Sequence, residues 1–329
     1  LYFLLKFFGN IASKKISQSL RLFLFIGLVI LAILFAVGGK FLLSLPLTII
    51  SLGLLKLKGL SLFQLISLFR LIQTLRNSQR FSFKNKNVVI TGGAGFLGKQ
   101  ISDAFLKQGS KVFILDLEKP KGKVTFFKTD VTSEVNLKNV LIILKKKKIK
   151  VDVLINCAAK DHVPGKKNKN KLSLENFSEK VWMEDLNVGL TGSLLTTKIF
   201  GSYMAQKKNG TILNISSDLG IIAPNQSIYK KANFIKPVSY SVVKHGIIGL
   251  TKYTASYWAK KNIRCNAIAP GGIYNNQDKN FLKEIKNIIP IGRMAKKNEY
   301  NDLVLFLCSK SSSYITGSII VSDGGRTVI

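Results

Sequence analysis

Two patterns of apolar residues divide the chain near residue 80. Before it, apolar residues come in unbroken runs. Residues 22–39 read LFLFIGLVILAILFAVGG, with no charge over 18 positions, just long enough for a helix to cross a bilayer core. Residues 41–55 (FLLSLPLTIISLGLL) form a shorter uncharged run broken by Pro46. Residues 60–75 have the mixed apolar spacing of a helix lying in a membrane interface. From residue 86 short β-branched runs alternate with helix-length stretches: 87–91, 111–116, 124–130, 151–156, 210–216, 262–270 and 317–323. Strands separated in this way predict an α/β domain over 81–329, a doubly wound parallel sheet of seven strands with helices on both faces. The basic stretch 165–171 reads as a loop.

Charge sharpens the first part. Residues 1–80 hold ten Lys and Arg, and no Asp or Glu precedes Asp103. Lys14, Lys15 and Arg21 precede the first run, and Lys56 and Lys58 follow the second. Basic flanks on both sides of a hairpin (22–39 and 41–57) place both ends on the cytoplasmic side. A second apolar run and the lack of a small-residue cleavage site argue against a signal peptide. The second run also suits a re-entrant segment. Because the chain opens on Leu1, 1–80 also reads as a mis-called extension, which would leave 81–329 cytoplasmic.

The whole chain has 329 residues and a formal charge of +33. Lys outnumbers Arg 43 to 7, so the charge does not point to nucleic acid, where forked guanidinium groups read bases and phosphates. Lys145 to Lys148 suit the end of a helix. Three scattered cysteines and two histidines, His162 and His245, give neither a disulfide framework nor a metal centre.

Candidate chemistry begins where the first strand of the second part meets Thr91-Gly92-Gly93-Ala94-Gly95-Phe96-Leu97-Gly98. A strand, a glycine turn and a helix start make a phosphate site, because bare backbone and the helix dipole both favour a close anion. Asp116 closes the second strand 25 positions after Thr91. A carboxylate there accepts from a ribose 2′-hydroxyl and repels a 2′-phosphate, which favours NAD over NADP. Farther on, Tyr240 and Lys244 share one helix face at i, i+4. A nearby ammonium stabilises a phenolate, so such a tyrosine can exchange a proton with a reacting oxygen. Alone, the tyrosine–lysine spacing is also that of any surface helix pair.

These pieces stand in company. Residues 87–329 resemble the short-chain dehydrogenase/reductase family, motif by motif and in order. The glycine turn supplies Gly92, Gly95, Phe96, Leu97 and Gly98. Asp130-Val131 resembles the family's adenine contact, and Asn156-Cys157-Ala158-Ala159 stands where the family has Asn-Asn-Ala-Gly. Asn187 resembles the helix asparagine of the family's proton relay. Ser217, Tyr240 and Lys244 resemble the catalytic residues, and Pro270-Gly271-Gly272-Ile273 resembles the loop over the nicotinamide. The resemblance implies that Ser217 binds the reacting oxygen, with Ser216 as the alternative. It makes Tyr240 the acid/base, while Lys244 holds the nicotinamide ribose and Asn187 anchors a water beside Lys244. It also implies cofactor contacts from Asn156, Ala158, Pro270, Gly271 and Ile273, no metal, and dimers or tetramers built on helices at 177–206 and 239–261.

Some features depart from the family. The glycine spacing is that of an extended branch, while the length after Lys244 is of the compact type. Ser217 and Tyr240 lie 23 positions apart, longer than usual, with an extra segment at 224–239. Its Lys230, Lys231 and Lys236 could meet an anionic substrate or simply add to the lysine bias. This segment and its flanks are similar to oxidoreductases of flagellin-modification and surface-polysaccharide sugar pathways. Three readings follow: an NAD-dependent oxidoreductase on a sugar or nucleotide-sugar precursor, a 3-oxoacyl or lipid-linked ketone reductase, and a cofactor-binding membrane scaffold without catalysis.

Overall fold

The computed structural model describes residues 26–28, 30–31, 81–120, 122, 124–160, 162, 172–230 and 234–329. The chain divides into two units, Leu1–Arg80 and Phe81–Ile329. In the first, the described residues 26–28 and 30–31 are helical. Apart from those residues, the membrane hairpin falls outside the described residues, as do the interfacial helix at 60–75 and the basic loop at 165–171. Among the described residues no helix is long and apolar enough to cross a membrane.

The second unit is built on seven parallel strands: β1 (Asn87–Thr91), β2 (Lys111–Asp116), β3 (Thr125–Lys128), β4 (Val153–Asn156), β5 (Gly210–Ile215), β6 (Ile263–Pro270) and β7 (Ile319–Ser322). Their order across the sheet is β3-β2-β1-β4-β5-β6-β7. The chain winds outward from β1 to one edge, then returns and winds to the other. This reversal opens a crevice beyond the carboxyl ends of β1 and β4. The helices are α1 (Phe96–Lys107), α2 (Glu134–Lys146), α3 (residues 179–206), α4 (Ser227–Lys230), α5 (Val238–Trp258), α6 (Lys279–Asn287) and α7 (Asn301–Cys308). Within α3, Asn187–Thr191 and Thr197–Gly201 take the wider π pitch.

The strands are apolar on both faces because both faces are covered. Val88 and Ile90 point into one core with Ile101 and Phe105 of α1 and Val304 and Leu307 of α7. Val89, between them, points into the other core with Leu137 of α2 and Phe200 and Met204 of α3. A smaller cluster joins Ile228 and Tyr229 of α4 to Phe281 and Ile285 of α6, with the Tyr229 and Phe281 rings stacked 5.2 Å apart. It holds the inserted segment against the chain that follows β6.

One polar network crosses the second core. Asn156 donates to Asn214 Oδ1 (2.8 Å) and Thr197 Oγ1 (3.0 Å), and Thr196 Oγ1 donates to Asn156 Oδ1 (2.6 Å). Asn214 in turn donates to Thr251 Oγ1 at 2.8 Å. These bonds tie β4 and β5 to α3 and α5. Asn214→Ala strands buried partners and is expected to cost about 1–3 kcal/mol in urea unfolding. A change within about 0.5 kcal/mol would show that the network does not hold these elements.

Candidate active site

The phosphate turn is shaped by close backbone packing. Gly92 has φ 66° and donates its N–H to Leu115 O at 3.0 Å. A Cβ there would stand 2.7 Å from Ala158 Cα, and one on Gly98 would stand 2.1 Å from Gly92 O. Thr91 Oγ1 accepts from the amides of Cys157 (3.2 Å) and Ala158 (3.3 Å), joining the turn to the end of β4. Helix α1 starts after Gly95 with no side-chain cap and no acidic residue in its first turn. Such a start presents its amides to an anion. Asp116 closes β2 beside it: one carboxylate oxygen accepts from Ala94 N (2.9 Å) and the other from Leu117 N (2.7 Å). Asp130 accepts from the amide and hydroxyl of Thr132.

Gly92, Gly95, Phe96, Leu97, Gly98, Asp116, Asp130, Val131 and Ala158 all line one cavity of about 640 Å³. Ser217, Tyr240, Lys244, Pro270, Gly271 and Ile273 line the same cavity, whose size is within the usual range for ligand pockets. A dinucleotide therefore fits the residues present: an uncapped helix start and a bare turn at one end, and titratable groups at the other.

At the reacting end, Lys244 is 7% exposed. Its Nζ donates to Ile215 O at 2.9 Å and lies 5.6 Å from the centre of the Tyr240 ring. Ser216 Oγ donates to Lys244 O at 2.8 Å, so this serine fastens α5 to the end of β5. Ser217 Oγ donates to Asp218 Oδ1 at 2.8 Å and accepts from Leu219 N. Tyr300 donates to Gly271 O at 3.1 Å and pins the loop after β6. Burial, with the carboxylates of Asp218 and Glu299 nearby, pushes the Tyr300 phenol upward and keeps it a donor. Burial also pushes the Cys157 thiol up to about 11, against the opposing pull of Lys244. Cys157 lines the cavity as a protonated thiol and is no nucleophile near neutral pH.

Two expected residues lie elsewhere. Asn187 is exposed and is not part of the cavity wall. Residues two apart on a helix point in nearly opposite directions. The face of α3 that meets α5 is that of Gly189, where a Cβ would stand 2.6 Å from Val243 Cγ1. Val188 is the residue that reaches the cavity. The side chain of Asn187, the expected water anchor, therefore does not reach the cavity wall. The side chain of Asn156 is committed to the buried network rather than to the cavity wall. Of the lysines in the insert, Lys230 is exposed, Lys231 falls outside the described residues, and Lys236 lines the cavity.

Other groups at this end were not foreseen. His162 lines the cavity, and its Nε2 lies 3.0 Å from the buried carboxylate of Asp185, which also accepts from Ser239 Oγ. Arg326, near the chain end, lines the cavity and pairs with Asp218 at 2.8 Å. No local motif marks either pair, because their members come together only through the fold.

Comparison with known proteins agrees with this geometry. Residues 93–327 match the family model described as enoyl-(acyl carrier protein) reductase. The chain is 32% identical over 264 residues to a 3-oxoacyl-(acyl-carrier-protein) reductase of Thermotoga maritima, covering 74% of this chain and 99% of the relative. It is 26% identical over 255 residues to post-translational flagellin modification protein A of Campylobacter coli, covering 74% and 98%. A Leptospira borgpetersenii short-chain dehydrogenase, solved with bound NAD+, superposes with a TM-score of 0.69 at 31% identity, covering 75% of this chain and 94% of that one.

Two substitutions separate these placements. Gly98→Val is expected to abolish NADH binding, read by fluorescence, because even a Cβ collides with the turn. Asn187→Ala is expected to leave turnover within about twofold, as for a surface change; a large loss would restore it to the relay. The match of 93–327, the relative at 32% identity and the shared fold agree. The chain belongs to the short-chain dehydrogenase/reductase family and is an oxidoreductase acting on alcohol and ketone groups.

Proposed function

We propose that this oxidoreductase uses NAD and interconverts a hydroxyl and a carbonyl on a sugar or nucleotide-sugar precursor of surface glycans. The observation that carries the reading is the polar character of the reacting end. His162, Lys236, Asn275, Gln277 and Arg326 line the cavity there, and a hydroxyl-rich substrate supplies partners for them. The likeness to a flagellin modification protein supports the same substrate class. Asp116 supports NAD, because its carboxylate at the end of β2 disfavours a 2′-phosphate. The apolar runs at 22–39 and 41–57 would hold the enzyme on the cytoplasmic face of a membrane. Exposed Leu194, Val242, Tyr253 and Tyr257 on α3 and α5 would pair subunits.

The nicotinamide, when bound, supplies or accepts the hydride. The chain's own residues manage the proton. Tyr240 gives it to the carbonyl oxygen or takes it from the hydroxyl. Ser217 swings its hydroxyl from Asp218 to that oxygen, and the Lys244 ammonium favours the phenolate left on Tyr240. A second reading, a 3-oxoacyl reductase, is favoured by Phe281, Ile285 and Met294 in the cavity wall and by the Thermotoga maritima relative.

The test is turnover of a panel of nucleotide sugars, sugar phosphates, free sugars and acetoacetyl thioesters with NADH or NAD+, and with their phosphorylated forms. The proposal expects sugars above thioesters, and NAD above NADP; thioesters alone would select the second reading. Tyr240→Phe is expected to lose about 100-fold or more in turnover while NADH binding persists. Retained turnover would exclude Tyr240 as the acid/base. Asp116→Ala is expected to narrow the preference for NADH over NADPH, and an unchanged ratio would remove the argument for NAD.

A further inference from the structure

The C-terminal turn delivers an arginine to the reacting end. After β7 the chain bends through Gly324 and Gly325, with φ 71° and 89°. The Asp323 carboxylate accepts from Gly325 N (2.9 Å) and Thr327 N (2.7 Å) and fixes the bend. Arg326 then points inward, and its side chain and that of Asp218 are each 4% exposed. Nη1 is satisfied by Asp218. Nε and Nη2 are buried and have no hydrogen-bond partner among the described residues. Stranded donors on a charged group are costly and uncommon in proteins. Together Nε and Nη2 form the edge of a guanidinium that grips an oxyanion with two parallel bonds.

A second cation reaches the same end from the insert. Lys236 is 8% exposed, lines the cavity, and holds its Nζ 3.6 Å from the centre of the Tyr240 ring. Its position is built: Gln226 donates to Lys236 O (2.9 Å) and accepts from Lys236 N (3.1 Å). Arg326 meets the residue beside Ser217, and Lys236 meets Tyr240, so the two cations flank the reacting pair. Asp218, the carboxylate paired with Arg326, uses its other oxygen for Ser217 and Leu219.

We propose that Arg326 and Lys236 form an oxyanion subsite, so that the substrate carries a carboxylate or phosphate beside the carbon that is oxidised or reduced. The proposal rests on the reading of this cavity as a hydroxyl–carbonyl site and adds an acidic group to its substrate. The 224–239 insert then places one cation where a shorter connection would place none. The subsite also ties the C-terminal turn to specificity. Neutral sugars would offer the guanidinium edge only uncharged acceptors and would bind less well.

The test is calorimetric titration of the full chain, with and without saturating NADH, using gluconate, glucose 6-phosphate and glucose. An anionic ligand is expected to bind about tenfold or more tightly than glucose, and the better of the two anions distinguishes carboxylate from phosphate. Arg326→Lys keeps a charge opposite Asp218 but loses the fork, and Lys236→Gln removes the other cation without touching that pair. Each is expected to weaken the anion by roughly tenfold and to weaken glucose by clearly less, so that the preference for the anion shrinks. Equal affinity for charged and neutral ligands, or anion binding unchanged in both variants, overturns the subsite. Failure of the functional reading shows separately, as absence of NADH binding and of hydride transfer across the substrate panel, because anion binding is also scored without cofactor.

Discussion

A lysine ammonium that is 7% exposed needs acceptors within the protein. Lys244 meets that demand by donating to Ile215 O, the last carbonyl of β5. This bond fixes the ammonium to the carboxyl end of the sheet, the edge where the glycine turn also lies. Tyr240, one helical turn earlier on α5, is carried to the same place. Ser216 reinforces the join by donating to Lys244 O. If α5 slid along the sheet, the phenol and the phosphate turn would no longer share a cavity. The buried bonds among Asn156, Asn214, Thr196, Thr197 and Thr251 oppose that slide by coupling β4 and β5 to the two long helices.

Much of this was legible in the sequence because it depends on local pattern. Strands β1 and β2 begin and end at the expected residues, since buried parallel strands are short apolar runs bounded by turns. Glycines that must approach backbone closely, such as Gly92 and Gly98, stand at fixed spacing after β1. Tyr240 and Lys244 are one turn apart on one helix. Asn187 shows the limit of such matching: the motif finds the residue, but only the fold shows that its side chain is exposed while that of Val188 reaches the cavity. Asn156 shows another, because a polar residue at a strand end can serve the core as readily as the crevice.

The groups that shape the substrate end were not legible for a different reason. Arg326 lies 108 positions after Asp218, and only the order of β5, β6 and β7 brings them together. Asp185, Ser239 and His162 likewise come from α3, α5 and a loop. Lys236 was visible as one lysine among many, and its place became evident only through the Gln226 clamp and the packing of α4 on α6. The family chemistry is thus written in short motifs, while the substrate end is assembled from an insert and the C-terminal turn. Such an arrangement lets specificity change while the proton and hydride machinery stays fixed.

The central claim is that the Lys244 ammonium held at the sheet edge favours the Tyr240 phenolate, alongside the Lys236 ammonium 3.6 Å from the centre of the same ring. The most direct measurement is the pH dependence of kcat at saturating NADH for the native chain and for Lys244→Met. The account predicts that the limb governed by Tyr240 moves to higher pH by about one unit or more when the ammonium is removed. A limb at the same pH in both proteins would contradict it.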